Sequence, residues 1–202
     1  MKPKTVAAAI IIAVILVSLM YFTYQSYVSV KSPLVGLRLN YYYYVMIPAN
    51  GTYVSLISVN VTKISNGEVY FKYTIKPLNQ STGTISNQSF VPIFDPRNNM
   101  TYFASGYFGM PLFINTSVKP SSGIVTIEFQ SQESAVIKYT VSTGKEIYVN
   151  LTIIPYLGTY NLGETYWDLS YNPAYGYLVS AKGSFIGANY VKFEYVLVNA
   201  SV

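Results

Sequence analysis

Two hydrophobic patterns divide the chain. From Val6 to Met20 it reads VAAAIIIAVILVSLM, interrupted only by Ser18, and it stays uncharged through Val30. No face of this stretch is polar, and at 1.5 Å rise about 20 such residues cross a hydrocarbon core. After Pro33 the pattern changes to alternation, with turn residues recurring about every ten positions, as in antiparallel β-proteins. The clearest unit is Val59 to Ile75, where Val69, Phe71, Tyr73 and Ile75 alternate with Tyr70, Lys72, Thr74 and Lys76. Asn66-Gly67 supplies the positive φ angles of a tight hairpin turn. A second hairpin runs from Ala135 through Thr143-Gly144 to Ile153. There Ile147, Val149, Leu151 and Ile153 point one way, and Tyr148, Asn150 and Thr152 the other. Further strands are expected at Tyr41 to Ile47, Ile124 to Phe129, Tyr175 to Ala181 and Tyr190 to Val198.

These patterns predict one N-terminal transmembrane α-helix, residues 1–30, followed by an all-β ectodomain over residues 31–202, an Ig-like or similar β-sandwich. The apolar run is longer than a signal-peptide core and passes into Tyr21, Phe22, Tyr24 and Tyr27, an interfacial aromatic belt with no small-x-small cleavage site. An uncleaved signal anchor from Val6 to about Val28 follows. A pilin-like leader cut near Lys4 and Thr5 is the alternative.

Internal similarity raises a second question of organisation. Ser65 to Pro77 matches Ser142 to Pro155 with one inserted residue, both ending in Thr-Ile-x-Pro, and Ile114 to Val118 echoes Val198 to Val202. Duplicated units of residues 41–118 and 119–202 would account for both matches. A single sandwich that reuses Tyr, Thr and Ile strand patterns would do so equally.

Composition narrows the chemistry. There is no Cys and no His, so disulfides, thiol nucleophiles, Ser-His-Asp hydrolysis and His- or Cys-ligated metal sites are excluded. No cofactor motif is present. Charged residues are 10% of the chain. Of the net charge of +5, Lys2 and Lys4 precede the apolar run, leaving 11 basic and 8 acidic residues, an excess of +3 that is scattered singly and argues against nucleic acid. Eight Asn-x-Ser/Thr triplets begin at Asn50, Asn60, Asn79, Asn87, Asn99, Asn115, Asn150 and Asn199, all beyond the apolar run. With 14 Asn in so Ser/Thr-rich a chain, chance would place only about two or three. Attachment of N-linked glycans occurs outside the cytoplasm, so the triplets orient the β-domain outward and the N-terminus inward. Strand register agrees at two of them. Asn60 lies between Val59 and Val61, and Asn150 between Val149 and Leu151, so both project away from their apolar neighbours.

Glu164 and Asp168 flank Trp167 and form the best candidate carboxylate pair for glycoside hydrolysis, although an exposed strand with two solvated acids explains them as well. The Tyr-rich segment 156–177 offers an aromatic interaction patch of Tyr160, Tyr166, Trp167 and Tyr171. Of the run Tyr41 to Tyr44, two rings should point inward and two outward. Asp95-Pro96-Arg97 reads as a turn.

The signal anchor, the dense triplets and a Cys-free, charge-poor ectodomain rich in Tyr, Asn, Ser and Thr together resemble the anchored surface glycoproteins of thermoacidophilic archaea. That resemblance implies a cell-surface structural or interaction role, with the lipid bilayer, N-linked glycans and other surface or membrane proteins as partners. It also implies tolerance of acid, since few native-state carboxylates would be lost to protonation. A filament subunit joined by donated strands and a carbohydrate-active enzyme are the competing expectations.

Overall fold

Where alternation lets one face be buried the chain forms strands, and the described residues hold eleven in all: β1 (Arg38–Ile47), β2 (Gly51–Ser65), β3 (Glu68–Pro77), β4 (Ile85–Pro92), β5 (Ser121–Glu128), β6 (Glu133–Thr143), β7 (Ile147–Leu157), β8 (Tyr160–Asn161), β9 (Glu164–Tyr171), β10 (Leu178–Ile186) and β11 (Tyr190–Ser201). The computed structural model describes residues 33–97, 111–128, 133–187 and 190–202. The expected anchor, Phe129 and Asn99 lie outside the described residues. No helix among the described residues is long and apolar enough to cross a membrane.

All the described strands join one antiparallel sheet in the order β4-β3-β2-β1-β11-β10-β9-β7-β6-β5, with β8 paired to β7. The expected two-sheet sandwich is therefore replaced by a single continuous ladder. One side of that ladder is mainly apolar, and Val69 and Phe71 near one edge belong to the same core as Ile127 and Ile137 near the other. A sheet this wide curls to enclose its own apolar face. β1–β4 fall in the first expected repeat unit and β5–β11 in the second. The two hairpins that carry the sequence match are β2–β3 and β6–β7.

Both hairpins form as their alternation predicts. Asn66 (φ 54°) and Gly67 (φ 75°) make the β2–β3 turn. In β1, Tyr41 is buried and donates its hydroxyl to the Leu178 carbonyl at 2.9 Å, and Tyr43 stacks on Tyr195 at 4.2 Å on the same side. Tyr42 and Tyr44 face outward, 6.3 Å apart. The strand expected at Tyr175 to Ala181 is displaced to β10. Residues 172–177 instead turn, because the Asn172 side chain accepts from the Ala174 and Tyr175 N–H groups and Gly176 takes a positive φ.

Taken from β5 through β11 and then β1 to β4, the sheet is a simple meander. The connection from β4 to β5 must therefore cross from one edge to the other. Its described parts fill the core: Phe94, Phe113, Ile114 and Val118 are buried. Phe94 and Asn115 bond with Phe113 and Phe94 respectively through backbone groups, and Ile114 N–H donates to the Gly176 carbonyl at 2.7 Å.

Asp95 anchors the start of this crossing, in the turn its sequence predicts. Its carboxylate accepts from Arg97 N, Nε and Nη2 at 3.0, 3.1 and 3.0 Å. Burial alone would raise its pKa, but the hydrogen bonds and charge of Arg97, with a bond from Asn115, outweigh burial and hold the carboxyl below its ordinary value. A depressed native pKa contributes stability that is present above the unfolded value, about 4, and lost as pH falls through the native one. Asp95→Asn is accordingly expected to cost about 1 kcal/mol at neutral pH, since Arg97 is half exposed. The gap to the native chain should close as unfolding midpoints are followed down to about pH 2. A gap that stays constant would mean that the charge is not what Asp95 contributes.

Candidate functional site

Registered strands turn the outward face into a grid. β9, β10 and β11 align three rows there: Glu164, Ile186 and Tyr190; then Tyr166, Ser184 and Lys192; then Asp168, Lys182 and Glu194. Ser184 is the smallest residue and stands at the centre, so the large side chains around it leave a hollow. The result is an open groove of about 360 Å³, lined by Tyr166, Asp168, Lys182, Ser184, Tyr190, Lys192 and Glu194, with Met46 of β1 at its far wall. Tyr166 and Lys192 stand two strands apart, about 10 Å.

The groove's charges are held in place by their neighbours. Lys182 Nζ lies 3.5 Å from Glu194 Oε1. Asp168 Oδ1 accepts from Asn150 Nδ2 at 2.6 Å, and Asn150 Oδ1 accepts from Thr140 Oγ1 at 3.2 Å. One polar row thus crosses the sheet from β6 to β11. Tyr166 donates its hydroxyl to Glu164, and that bond to a carboxylate pushes the phenol pKa up from its ordinary value. The ammonium of Lys192 sits 5.6 Å over the Tyr190 ring, a cation–π contact that orients both.

The expected aromatic patch is divided by strand parity. Tyr160, on the short β8, is 75% exposed and Tyr166 is 37% exposed, whereas Trp167 is 3% and Tyr171 0% exposed. Residues 166 and 167 are neighbours on one strand and must face opposite sides, and 171 shares the inward parity of 167. Trp167 packs in the core against Phe193, and Tyr171 donates its hydroxyl to the Pro111 carbonyl at 3.0 Å. Neither belongs to a surface patch. Glu164 and Asp168 do share the outward face, but four residues of strand separate them by about 13 Å, beyond the spans of about 5–5.5 and 6.5–9.5 Å that retaining and inverting glycosidases use. They are not brought together as a catalytic pair.

The described triplet asparagines are half-buried or exposed, none buried. Asn60, Asn150 and Asn199 lie on the outward side of β2, β7 and β11. Asn50 is in the β1–β2 turn and Asn79 follows β3. Asn87 is opposite Tyr73, on the inward register of edge strand β4, where it is nevertheless exposed. Asn87 accepts from the Gln88 N–H through its oxygen alone, while three others have the amide nitrogen engaged by the fold. Asn79 donates to the Thr52 carbonyl at 2.7 Å and accepts from Val54 N–H at 2.9 Å. Asn115 accepts from Ser117 N–H and donates to Asp95. Asn150 bridges Thr140 and Asp168 as above.

Sequence reading missed Lys182, Ser184, Tyr190, Lys192 and Glu194 as a group. Their convergence depends on pairing between β9, β10 and β11, which no spacing along the chain encodes. The one local signal is Gly183-Ser184, two small residues in the middle of a strand whose neighbours are large.

No protein-family model and no curated protein sequence matches the chain. Two solved structures are similar to it. One is a candidate exported protein with a YmcC-like fold from Bacteroides fragilis, at 11% identity and a TM-score of 0.44, covering 86% of this chain and 99% of that one. The other is a candidate lipoprotein from Parabacteroides distasonis, at 12% identity and a TM-score of 0.41, covering 85% of this chain and 98% of that one. Likeness at this level carries no information about activity or partners.

Proposed function

We propose that the chain is a membrane-anchored, extracytoplasmic glycoprotein with a structural or protein-interaction role at the cell surface. The observation that carries this reading is the set of triplets: eight in one chain, all beyond the apolar N-terminal run, with every described asparagine at least partly accessible. The apolar segment retains the protein at the bilayer, and glycans shield the β-domain. The resemblance to anchored glycoproteins of thermoacidophilic archaea belongs to the same reading.

Mass spectrometry of the protein from washed membranes tests it, through the intact N-terminus and the mass at each asparagine. A start at Met1 or Lys2 with glycans on several sites is expected. Occupancy should be highest at Asn50, Asn60, Asn87 and Asn199, whose Nδ2 groups make no bond to another described residue, and lowest at Asn79, Asn115 and Asn150. Bare asparagines throughout would sink the outward-facing reading, and a start just after Lys4 would transfer support to a pilin-like subunit.

A second reading, assembly by strand addition, draws on β4 and β5, which each pair with one strand among the described residues. β4 (ISNQSFVP) has no charged residue and exposes Ile85 and Phe90, at 57% and 56%, while β5 carries Ile124 outward and one charge, Glu128. Edges without charge or proline in mid-strand invite pairing. Phe90→Lys should then abolish any concentration-dependent assembly seen by sedimentation, and unaltered assembly would remove this reading.

A further inference from the structure

We propose that the groove over Ser184 binds a neutral saccharide. The proposal stands on the groove alone and does not need the glycosylation reading. The lining disfavours ligands of a single charge and purely apolar ones. Lys182 and Lys192 cancel Asp168 and Glu194, so an anion would meet two carboxylates and a cation two ammonium groups. An apolar ligand would strip water from four charged side chains and give nothing back. A sugar ring has what remains. Its hydroxyls both donate and accept, and its C–H face is apolar.

Each feature of a pyranose meets a counterpart. The Asp168 carboxylate accepts from Asn150 and the Glu194 carboxylate pairs with Lys182, and a carboxylate offers about four acceptor positions. They can accept from adjacent hydroxyls. Lys182, Lys192 and the Ser184 hydroxyl supply donors, and Ser184 leaves the floor low enough for a ring to enter. Tyr166 and Tyr190 stand as walls on strands two apart and one row offset, about 12 Å, one fixed by Glu164 and the other by Lys192. Rigid aromatic faces pack sugar C–H groups at little entropic cost. The volume of about 360 Å³ lies at the lower end of ligand sites, so one or two rings fit. Because the groove is open, affinity should be weak, on the order of millimolar.

The test is saturation-transfer NMR of the full chain in detergent micelles, with mannotriose and chitotriose as probes. Transfer from the protein to at least one trisaccharide is expected. Ser184→Trp fills the hollow with a residue that exposed strands accept well, and it should abolish the signal. Tyr190→Ala should weaken binding by about tenfold, the worth of one aromatic wall. Tyr160→Ala, exposed but outside the groove, should change nothing. No transfer to either sugar, or undiminished transfer to the Ser184→Trp protein whose circular dichroism matches the native one, would overturn the proposal. Repeating the titration after enzymatic removal of N-glycans separates the sources. Tighter binding then means that a protein-borne glycan competes for the groove, and unchanged binding means that free saccharide is the ligand. If the chain proves bare of glycans, transfer to either probe still supports the proposal and its absence still overturns it.

Discussion

Gly176→Ala is expected to destabilise the β-domain by about 3–5 kcal/mol, the range in which clashes with rigid backbone fall. Two costs combine. The residue sits at φ +66°, where a Cβ alone costs about 1–2 kcal/mol. That Cβ would also stand 2.2 Å from the Ile114 carbonyl oxygen and 3.2 Å from Thr116 Cγ2. The carbonyl cannot rotate away as a side chain would. Ile114 N–H donates to the Gly176 carbonyl, Leu178 N–H to that of Leu112, and Phe113 bridges Tyr177, so the turn and the crossing segment are laced together. Pushing them apart withdraws Phe113 and Ile114 from the core. Gly51→Ala provides the control, since Gly51 has φ +88° with nothing near its added Cβ, and it should show the conformational cost alone. The chain has a single tryptophan, the buried Trp167, whose fluorescence reports global unfolding. For a domain of this size the Gly176→Ala midpoint should fall by about 6–20 °C and the control by about 2–8 °C. Equal shifts would show that the close approach at Ile114 is relieved cheaply.

The contrast between those two glycines marks what the sequence makes legible. Local chemistry is readable: Asn66-Gly67 announces its turn, the alternation around Tyr73 and Val149 announces its strands, and Tyr41 to Tyr44 divide inward and outward as a period of two requires. Asn60 and Asn150 likewise face outward. Global chemistry is not readable in the same way. Whether the described strands close as two sheets or one depends on β1 pairing with β11, a contact between strands far apart in the chain that leaves no mark on either. The segment Tyr175 to Ala181 misleads because its aromatic alternation looks like strand, while the Asn172 side chain and Gly176 hold its first part in a turn. β4 is hard to recognise for the opposite reason. As an edge strand it buries neither face, so it has no hydrophobic alternation to display.

The same division governs the candidate site. Trp167 and Tyr171 attract notice as rare, large residues in an aromatic stretch, but their odd positions on β9 assign them to the core once Leu169 is recognised as buried. Glu164 and Asp168 keep the outward face and lose each other to distance along the strand. The partners Asp168 does have, Asn150 and Lys182, come from adjacent strands at the same level. Sheet sites are built across strands, at about 4.8 Å per step, more readily than along them, where same-face neighbours are about 6.6 Å apart. This is why a sequence window around Trp167 could not contain the groove.

Trp167 and Gly183 give the largest test of the inward face. The two are directly paired across β9 and β10, and the indole lies against the glycine, where a Cβ would meet Cε3 and Cζ3 at 2.6 Å. A glycine inside a strand is ordinarily unfavourable by about 0.5–1 kcal/mol, but here it leaves room for the ring, which also stacks on Phe193 at 6.0 Å. Trp167→Ala should cost about 3–5 kcal/mol by loss of burial and creation of a cavity. Gly183→Ala should cost about 1–3 kcal/mol by forcing the indole from its place. The double variant decides whether this account is right. With the ring gone, the methyl of residue 183 meets open space and alanine is the better strand residue, so the pair should be no less stable than Trp167→Ala alone. The coupling energy is then about 1–3 kcal/mol, favourable to the double variant. Urea unfolding followed by circular dichroism measures all four corners of the cycle, because the fluorescence probe is lost with Trp167. Additive costs would mean that the glycine serves something other than the indole.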